Sequence, residues 1–171
     1  MARVLGVDPG VSETGWAVLD SAGTGGKLID AGCIKTSPRT PLPERLLFIH
    51  RALKEVIAKH QPESMAVEEM FFLQIAHTVR ATLQARGVVL LAGADAGIEV
   101  CEYNPRQVKS ALTGSGTAPK AQMQKMTQAA LGLAEPLRPD DVADAAAIAL
   151  AHLRAGRVKG LKVLDRVGGR G

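Results

Sequence analysis

The apolar residues of this chain change their spacing along its length, and that change limits the fold more than any other feature. Arg3 to Val7 is a short apolar run that stops at Asp8-Pro9-Gly10, a turn signal. Gly15 to Leu19 and Leu28 to Lys35 are two more strand candidates, and the polar, glycine-rich Asp20 to Gly26 between them reads as a hairpin loop. From Pro41 to Lys59 the spacing becomes helical, with Leu42, Leu46, Phe48, Ile49, Leu53, Val56 and Ile57 apolar, until Gln61-Pro62 ends it. Ser64 to Glu68 is then a short strand, Gln74 to Ala94 a long helix and Ile98 to Tyr103 a fifth strand. Asn104-Pro105 opens a helical stretch to about Leu112. Gly114 to Pro119 is a loop, and Lys120 to Leu131 and Val142 to Leu153 are helices.

Three strands joined by short turns make an antiparallel meander. Strands that follow crossover helices run parallel. The expected fold is therefore α/β: a five-stranded mixed sheet, three antiparallel strands then two parallel ones, flanked by helices. Only 3% of the residues are aromatic, so the core must be aliphatic. With 171 residues, one domain over 1–155 is expected, followed by a basic, flexible tail over 156–171. From Arg154 onward there are six basic residues and one acid, so this end carries +5 of the net +4 and the rest is −1. A polyanionic partner would thus need local basic strips or bound cations over any acidic site. Cys33 and Cys101 lie in strand-like runs and give neither a disulfide framework nor a zinc spacing. No stretch reaches ~18 uninterrupted apolar residues. A soluble, cytoplasmic protein with no membrane partner is expected.

Ligands on such sheets bind beyond the carboxyl ends of the strands. Asp8 stands at the end of the first strand, and Glu68 with Glu69 at the end of the fourth. Carboxylates at the ends of apolar strands lose hydration and raise their pKa or find a cation. Farther on, Pro139-Asp140-Asp141-Val142-Ala143-Asp144 precedes an alanine run, and Pro139 suits a first helical turn. Asp141 and Asp144 are three apart, so they share one helix face. Such oxygens are hard donors suited to Mg²⁺ or Mn²⁺, and paired ions are a known device for phosphodiester hydrolysis. Taken singly, the same acids read as helix caps and turn formers. His50, His60, His77 and His152 are scattered over helices and read as surface or packing residues.

Phe71 and Phe72 adjoin Glu68 in a chain with three Phe, one Trp and one Tyr. Two readings fit them: a platform on which an unpaired base stacks, or a plug at the start of a helix. Lys109 and Lys120 flank a glycine-rich loop, and each is either a phosphate contact or a solvated group. Arg80, Arg86 and Arg106 are further phosphate-contact candidates. Val88 to Ala92 is apolar all round, which suits packing on a twin subunit or burial between sheet and helix.

Taken in order, several segments resemble the RuvC family of bacterial Holliday-junction resolvases. They are Leu5-Gly6-Val7-Asp8-Pro9-Gly10 with Thr14-Gly15-Trp16, Ala66 to Phe71, Gln84 to Gly87, Tyr103 with Arg106 to Lys109, Gly114 to Lys120, and Asp141 to Ala149. The family usually carries a bulkier residue at the position of Ala146. The resemblance implies an RNase H-like fold, a homodimer and paired, metal-dependent nicking of two opposed strands of four-way junction DNA in recombination and repair. It implies two ions, Mg²⁺ or Mn²⁺, held by Asp8, Glu68, Asp141 and Asp144, with Glu69 and Asp140 as bystanders. It favours Phe71 as the stacking residue and gives Lys109 and Lys120 roles in DNA binding or catalysis. A branch-migration motor is an implied partner. Two rivals remain: an actin-like ATP-binding protein, whose first phosphate loop Asp8 to Gly15 also resembles, and an inactive junction-binding scaffold of the same fold.

Overall fold

The computed structural model describes residues 2–23, 25–69 and 77–167, and the side chains of these except 77–78 and 157–167. Phe71 and Phe72 lie outside the described residues. Strands β1 (Arg3–Asp8), β2 (Glu13–Ala22) and β3 (Gly25–Lys35) form an antiparallel meander. Helix α1 (Leu42–His60) leads to β4 (Ser64–Glu68), which lies parallel to β1, and α2 (His77–Asp95) leads to β5 (Glu99–Tyr103), parallel to β4. Then come α3 (Pro105–Thr113), α4 (Lys120–Leu131) and α5 (Asp140–Val167). The sheet order is β3-β2-β1-β4-β5, the mixed sheet expected from the spacing of apolar residues.

Three element bounds differ from expectation. Asp20 to Gly26 is mostly strand: Ser21 pairs with Gly26 and Ala22 with Gly25, with a register shift at Val18/Leu19. A bidentate ion pair from Arg3 to Asp20 (2.7 and 2.9 Å) fixes the β2 side of this extension. Helix α5 begins at Asp140, so Pro139 stands just before the first turn and accepts a backbone bond from Val142. At its other end the backbone stays helical through Val167, past the helix end expected at Leu153. In α2, Val89 and Ala92 are buried but Leu91 is 58% exposed, and Phe48 on α1 is 54% exposed.

The period-2 alternation of the strands divides the core in two. Leu5, Val7, Met65 and Val67 face α1 and α2, where Ile49, Leu53, Ala85 and Val89 meet them. Val4 and Ala66 face the opposite way, toward Ile148 and Leu150 of α5. Gly6 and Asp8 share the parity of Val4, and Glu68 that of Ala66, so both acids stand on the α5 side.

Helix α5 comes unusually close to that side. A Cβ on Gly6 would lie 2.1 Å from the Ala145 carbonyl oxygen and 2.9 Å from Ala149 Cβ. A Cβ on Gly15 would lie 2.0 Å from the Asp141 carbonyl oxygen. Glycine in the strands and alanine in the helix therefore let backbone meet backbone, and Ala145 to Ala151 is buried throughout. Ala146, where the family usually carries a bulkier residue, is fully buried in a small cluster with Ala17 and Ala145. A buried polar bridge ties the helix to the far part of the sheet. His152 on α5 bonds through Nδ1 to the Tyr103 hydroxyl on β5 (2.8 Å) and through Nε2 to the Ser64 hydroxyl on β4 (3.0 Å).

This contact makes a direct prediction. Gly15→Ala has no room and should destabilise the protein by about 1–3 kcal/mol, as overpacking does. That lowers the thermal midpoint by roughly 3–10 °C for a chain of this size. A thermal melt unchanged within a degree would refute the contact.

Candidate active site

The turn after β1 is held from several sides. The buried Thr14 hydroxyl donates to the Gly10 carbonyl (2.6 Å), closing the turn that carries Asp8. Buried Arg45 of α1 donates to the Thr36 and Ser12 hydroxyls at 2.8 and 3.0 Å, and so fastens the same loop to the next helix. Asp8 and Glu68 follow the paired residues Val7 and Val67 at the ends of adjacent parallel strands. Asp141 and Asp144 face them from the first turns of α5. The helix N-terminus there lends partial positive charge to the acids.

The structure brings the four acids into mutual electrostatic range. Burial, then Glu68, Asp144 and Asp141, push the Asp8 carboxyl from 3.8 up to about 8, against a smaller pull from Lys120. Glu68 is raised by burial and by Asp144, while Lys109 and Lys120 pull it down. Asp141 is raised by burial and by a hydrogen bond with Glu13. Glu13 itself is lowered, chiefly by Lys35 at 3.0 Å and then by that bond with Asp141. Glu13 is the site residue that sequence reasoning missed. Its only signal was its place at the start of β2, since the pairing with Lys35 across the strands depends on register.

Lys120 of α4 reaches over the helix N-terminus. Its ammonium lies 3.1 Å from Asp144 and 3.3 Å from Asp140. Burial alone would lower its pKa, but these two acids outweigh it and raise it. Asp140 also accepts from Gln124 (3.2 Å) and Arg138 (3.0 Å). Its carboxylate is thus engaged by side chains of α4 and the preceding loop, where a helix cap was expected. Glu69 stands on the opposite parity to Glu68. Lys109 and Lys120 both line a cleft of about 280 Å³ with Glu68 and Asp144. Lys109 also borders a groove of about 900 Å³ with Arg106, Gln107, Gly116 and Thr117. Arg80 is exposed on α2. Arg86 is only 15% exposed and is committed inside the protein, 2.8 Å from Glu102. Among the histidines, buried His60 meets Asp30 (3.0 Å) and His50 lies 3.9 Å from Asp95, so both act in packing.

The donor set fits a hard divalent cation. It consists of carboxylate oxygens, and their mutual repulsion, visible in the raised Asp8, is what a cation relieves. Among the described residues, no three acidic, histidine or cysteine side chains converge closely enough to hold an ion as they stand. Asp141 is drawn to Glu13 and Asp144 to Lys120, so binding requires side-chain rotation at both.

Comparison with known proteins decides the family. The sequence profile of "Crossover junction endodeoxyribonuclease RuvC" matches residues 4–152. The chain belongs to the RuvC family. A RuvC from Chloroflexus aggregans is 49% identical over 150 residues, covering 88% of this chain and 92% of that protein. The Thermus thermophilus RuvC structure superposes with a TM-score of 0.85 at 40% identity, covering 92% of this chain and 96% of that one. T. thermophilus RuvC in complex with Holliday junction substrate superposes with a TM-score of 0.84 at 38% identity, covering 91% and 96%. The RuvC match runs through the ordered motifs and sets the actin-like reading aside.

The raised Asp8 carboxyl has a consequence for stability. Its folded pKa of about 8 exceeds its ordinary 3.8, so the folded chain binds the proton more tightly than the unfolded chain. Stability from this group is full below about pH 4 and is lost as pH rises toward 8. Without divalent ions, Asp8→Asn should therefore melt near wild type at pH 4 and higher at pH 8, on the order of 5 °C. A pH-independent difference in melting temperature would contradict the repulsive cluster.

Proposed function

We propose that this RuvC-family chain is a structure-specific endonuclease that resolves four-way DNA junctions by metal-dependent hydrolysis of two opposed strands. One observation carries the reading: Asp8, Glu68, Asp141 and Asp144 meet at one end of an RNase H-like sheet, in a chain matched along 4–152 by the crossover junction endodeoxyribonuclease profile. The intact acidic set argues against an inactive scaffold.

The four carboxylates are the groups that would hold Mg²⁺ or Mn²⁺, two ions per site. Bound there, the ions would supply an activated water and charge neutralisation at the scissile phosphate. The chain's own part is to orient and to neutralise. Glu13, itself held by Lys35, keeps Asp141 turned to the β2 side. Lys120 balances Asp144 and Asp140, and Lys109 offsets Glu68, so both ammonium groups stand where a phosphate would enter. In this reading they bind DNA and stabilise charge in the transition state. Arg106 and Lys109 line the adjoining groove, and Arg80 extends the basic surface along α2. Phe71 and Phe72 follow Glu68 closely in sequence, and Phe71 is the favoured residue on which an unpaired junction base would stack.

Paired nicks need two active sites, which supports a homodimer. The exposed stripe of α2, with Leu83 at 39% and Leu91 at 58% exposed, offers an apolar face for it. A branch-migration motor would supply junctions to such an enzyme. Action on junctions of bacterial DNA supports a cytoplasmic location. Arg154 is taken up by the Ala111 and Leu112 carbonyls of α3, so a further DNA contact in this scheme falls to the basic residues from Arg157 onward.

Incubation with a synthetic four-way junction and with linear duplex tests the reading. Symmetric nicks are expected in the junction only, with Mg²⁺ or Mn²⁺ present. Asp8→Asn should lower the rate at least ~10³-fold while junction binding persists. Equal cutting of linear duplex, or no cutting with either ion, would sink it.

A further inference from the structure

Strand β4 ends at Glu68, and so does most of its support. Its pairing with β1 ends at Val67, and its pairing with β5 ends at Glu68 opposite Tyr103. One more backbone bond, from Glu69 N–H to the Tyr103 carbonyl (2.7 Å), lies beyond. The Glu68 carbonyl is instead met by a side chain from another layer: Arg86 of α2 donates to it through Nε at 3.3 Å. The other arm of the same guanidinium, Nη2, lies 2.8 Å from the Glu102 carboxylate, one residue before Tyr103 on β5. A rigid, planar fork thus joins one helix to the ends of two adjacent parallel strands. Being 15% exposed and bonded on two sides, it has little left to offer a phosphate.

We propose that Arg86 is a positioning residue: it holds the end of β4 so that the Glu68 carboxylate points into the acidic site. The direction of a side chain follows from its backbone, and here the guanidinium fixes the last peptide before the chain leaves the sheet. Glu102 is the anchor that keeps the fork in place. This role rests on the reading of Glu68 as a metal-holding residue. It assigns a function to the Gln84-Ala85-Arg86-Gly87 segment that lies outside the acidic cluster.

The test compares wild type with Arg86→Lys, Arg86→Ala and Glu102→Gln. Three quantities are measured: the Mn²⁺ midpoint for thermal stabilisation without DNA, the single-turnover cleavage rate at saturating junction, and junction affinity against salt. A lysine keeps the charge but cannot make both bonds. For Arg86→Lys and Arg86→Ala the Mn²⁺ midpoint should rise about 10-fold or more, and the rate fall about 10–100-fold, the usual effect of losing a group that orients a ligand. Junction affinity and its salt slope should stay as in wild type. Glu102→Gln should shift the midpoint and rate in the same direction by less. The Arg86→Lys/Glu102→Gln double variant should be no worse than Arg86→Lys alone, because both changes break one link.

Wild-type Mn²⁺ affinity and rate in both Arg86→Lys and Glu102→Gln would overturn the proposal. So would a loss confined to junction affinity with the salt slope reduced by about one, the mark of a phosphate contact. If Arg86→Ala does not fold, Glu102→Gln, altered at a 40% exposed carboxylate, still decides. If wild type itself cuts no junction, the nuclease reading fails separately, and the Mn²⁺ midpoint measured without DNA continues to judge Arg86.

Discussion

The close seating of α5 on β1 and β2 governs the rest of the molecule. Gly6 and Gly15 leave no side chain between strand and helix, so the carbonyls of Ala145 and Asp141 nearly touch the strand backbone. That proximity sets how far Asp141 and Asp144 stand from Asp8 and Glu68. It also explains the small residues at Ala145 and Ala149, since the Ala145 carbonyl and Ala149 Cβ lie where a side chain on Gly6 would stand. The His152 bridge to Ser64 and Tyr103 then stops the helix from sliding along the sheet. A core with few aromatics follows from the same geometry, because a thin gap has no place for rings.

Bringing four carboxylates together is unfavourable, and the chain offsets the cost locally. Lys120 bridges Asp140 and Asp144, Lys109 acts on Glu68, and Glu13 is hydrogen-bonded with Asp141 while Lys35 balances Glu13. The Asp8 carboxyl is pushed up to about 8, first by burial and then by the other three carboxylates, against a smaller pull from Lys120. The cluster is thus graded: its rim is neutralised by lysines, and its buried centre is where an added cation gains most.

Much of this could be read from the chain. Apolar spacing placed Asp8 and Glu68 at strand ends and helical spacing put Asp141 with Asp144, because both periods are properties of the local backbone; it was the family resemblance that chose Glu68 over Glu69. What escaped depended on register and layer contacts. Glu13 meets Lys35 only once β2 is paired with β3, and a register shift at Val18/Leu19 intervenes. Arg86 looked like a surface cation because its partners, Glu102 and the Glu68 carbonyl, come from strands on either side of it in sequence. Strand pairing through Ala22 and Gly25 overrode the turn signal of the glycines. Helix α5 outran its apolar pattern, which had suggested an end near Leu153.

The backbone contact at Gly6 and Gly15 also limits how the site can move. Side chains can flex or repack, whereas two backbones in contact form a hard stop. Motion of α5 toward the sheet is blocked, and the His152 bridge resists travel along it. Tilting about the line of contact is the freedom left, and it moves the two ends of the helix in opposite directions. The acids near its start are separated by only a few residues from the pivot at Gly15, so they move least for a given tilt. The start of the helix, where Asp141 meets Gly15 backbone to backbone, is therefore the stiffest part of the site.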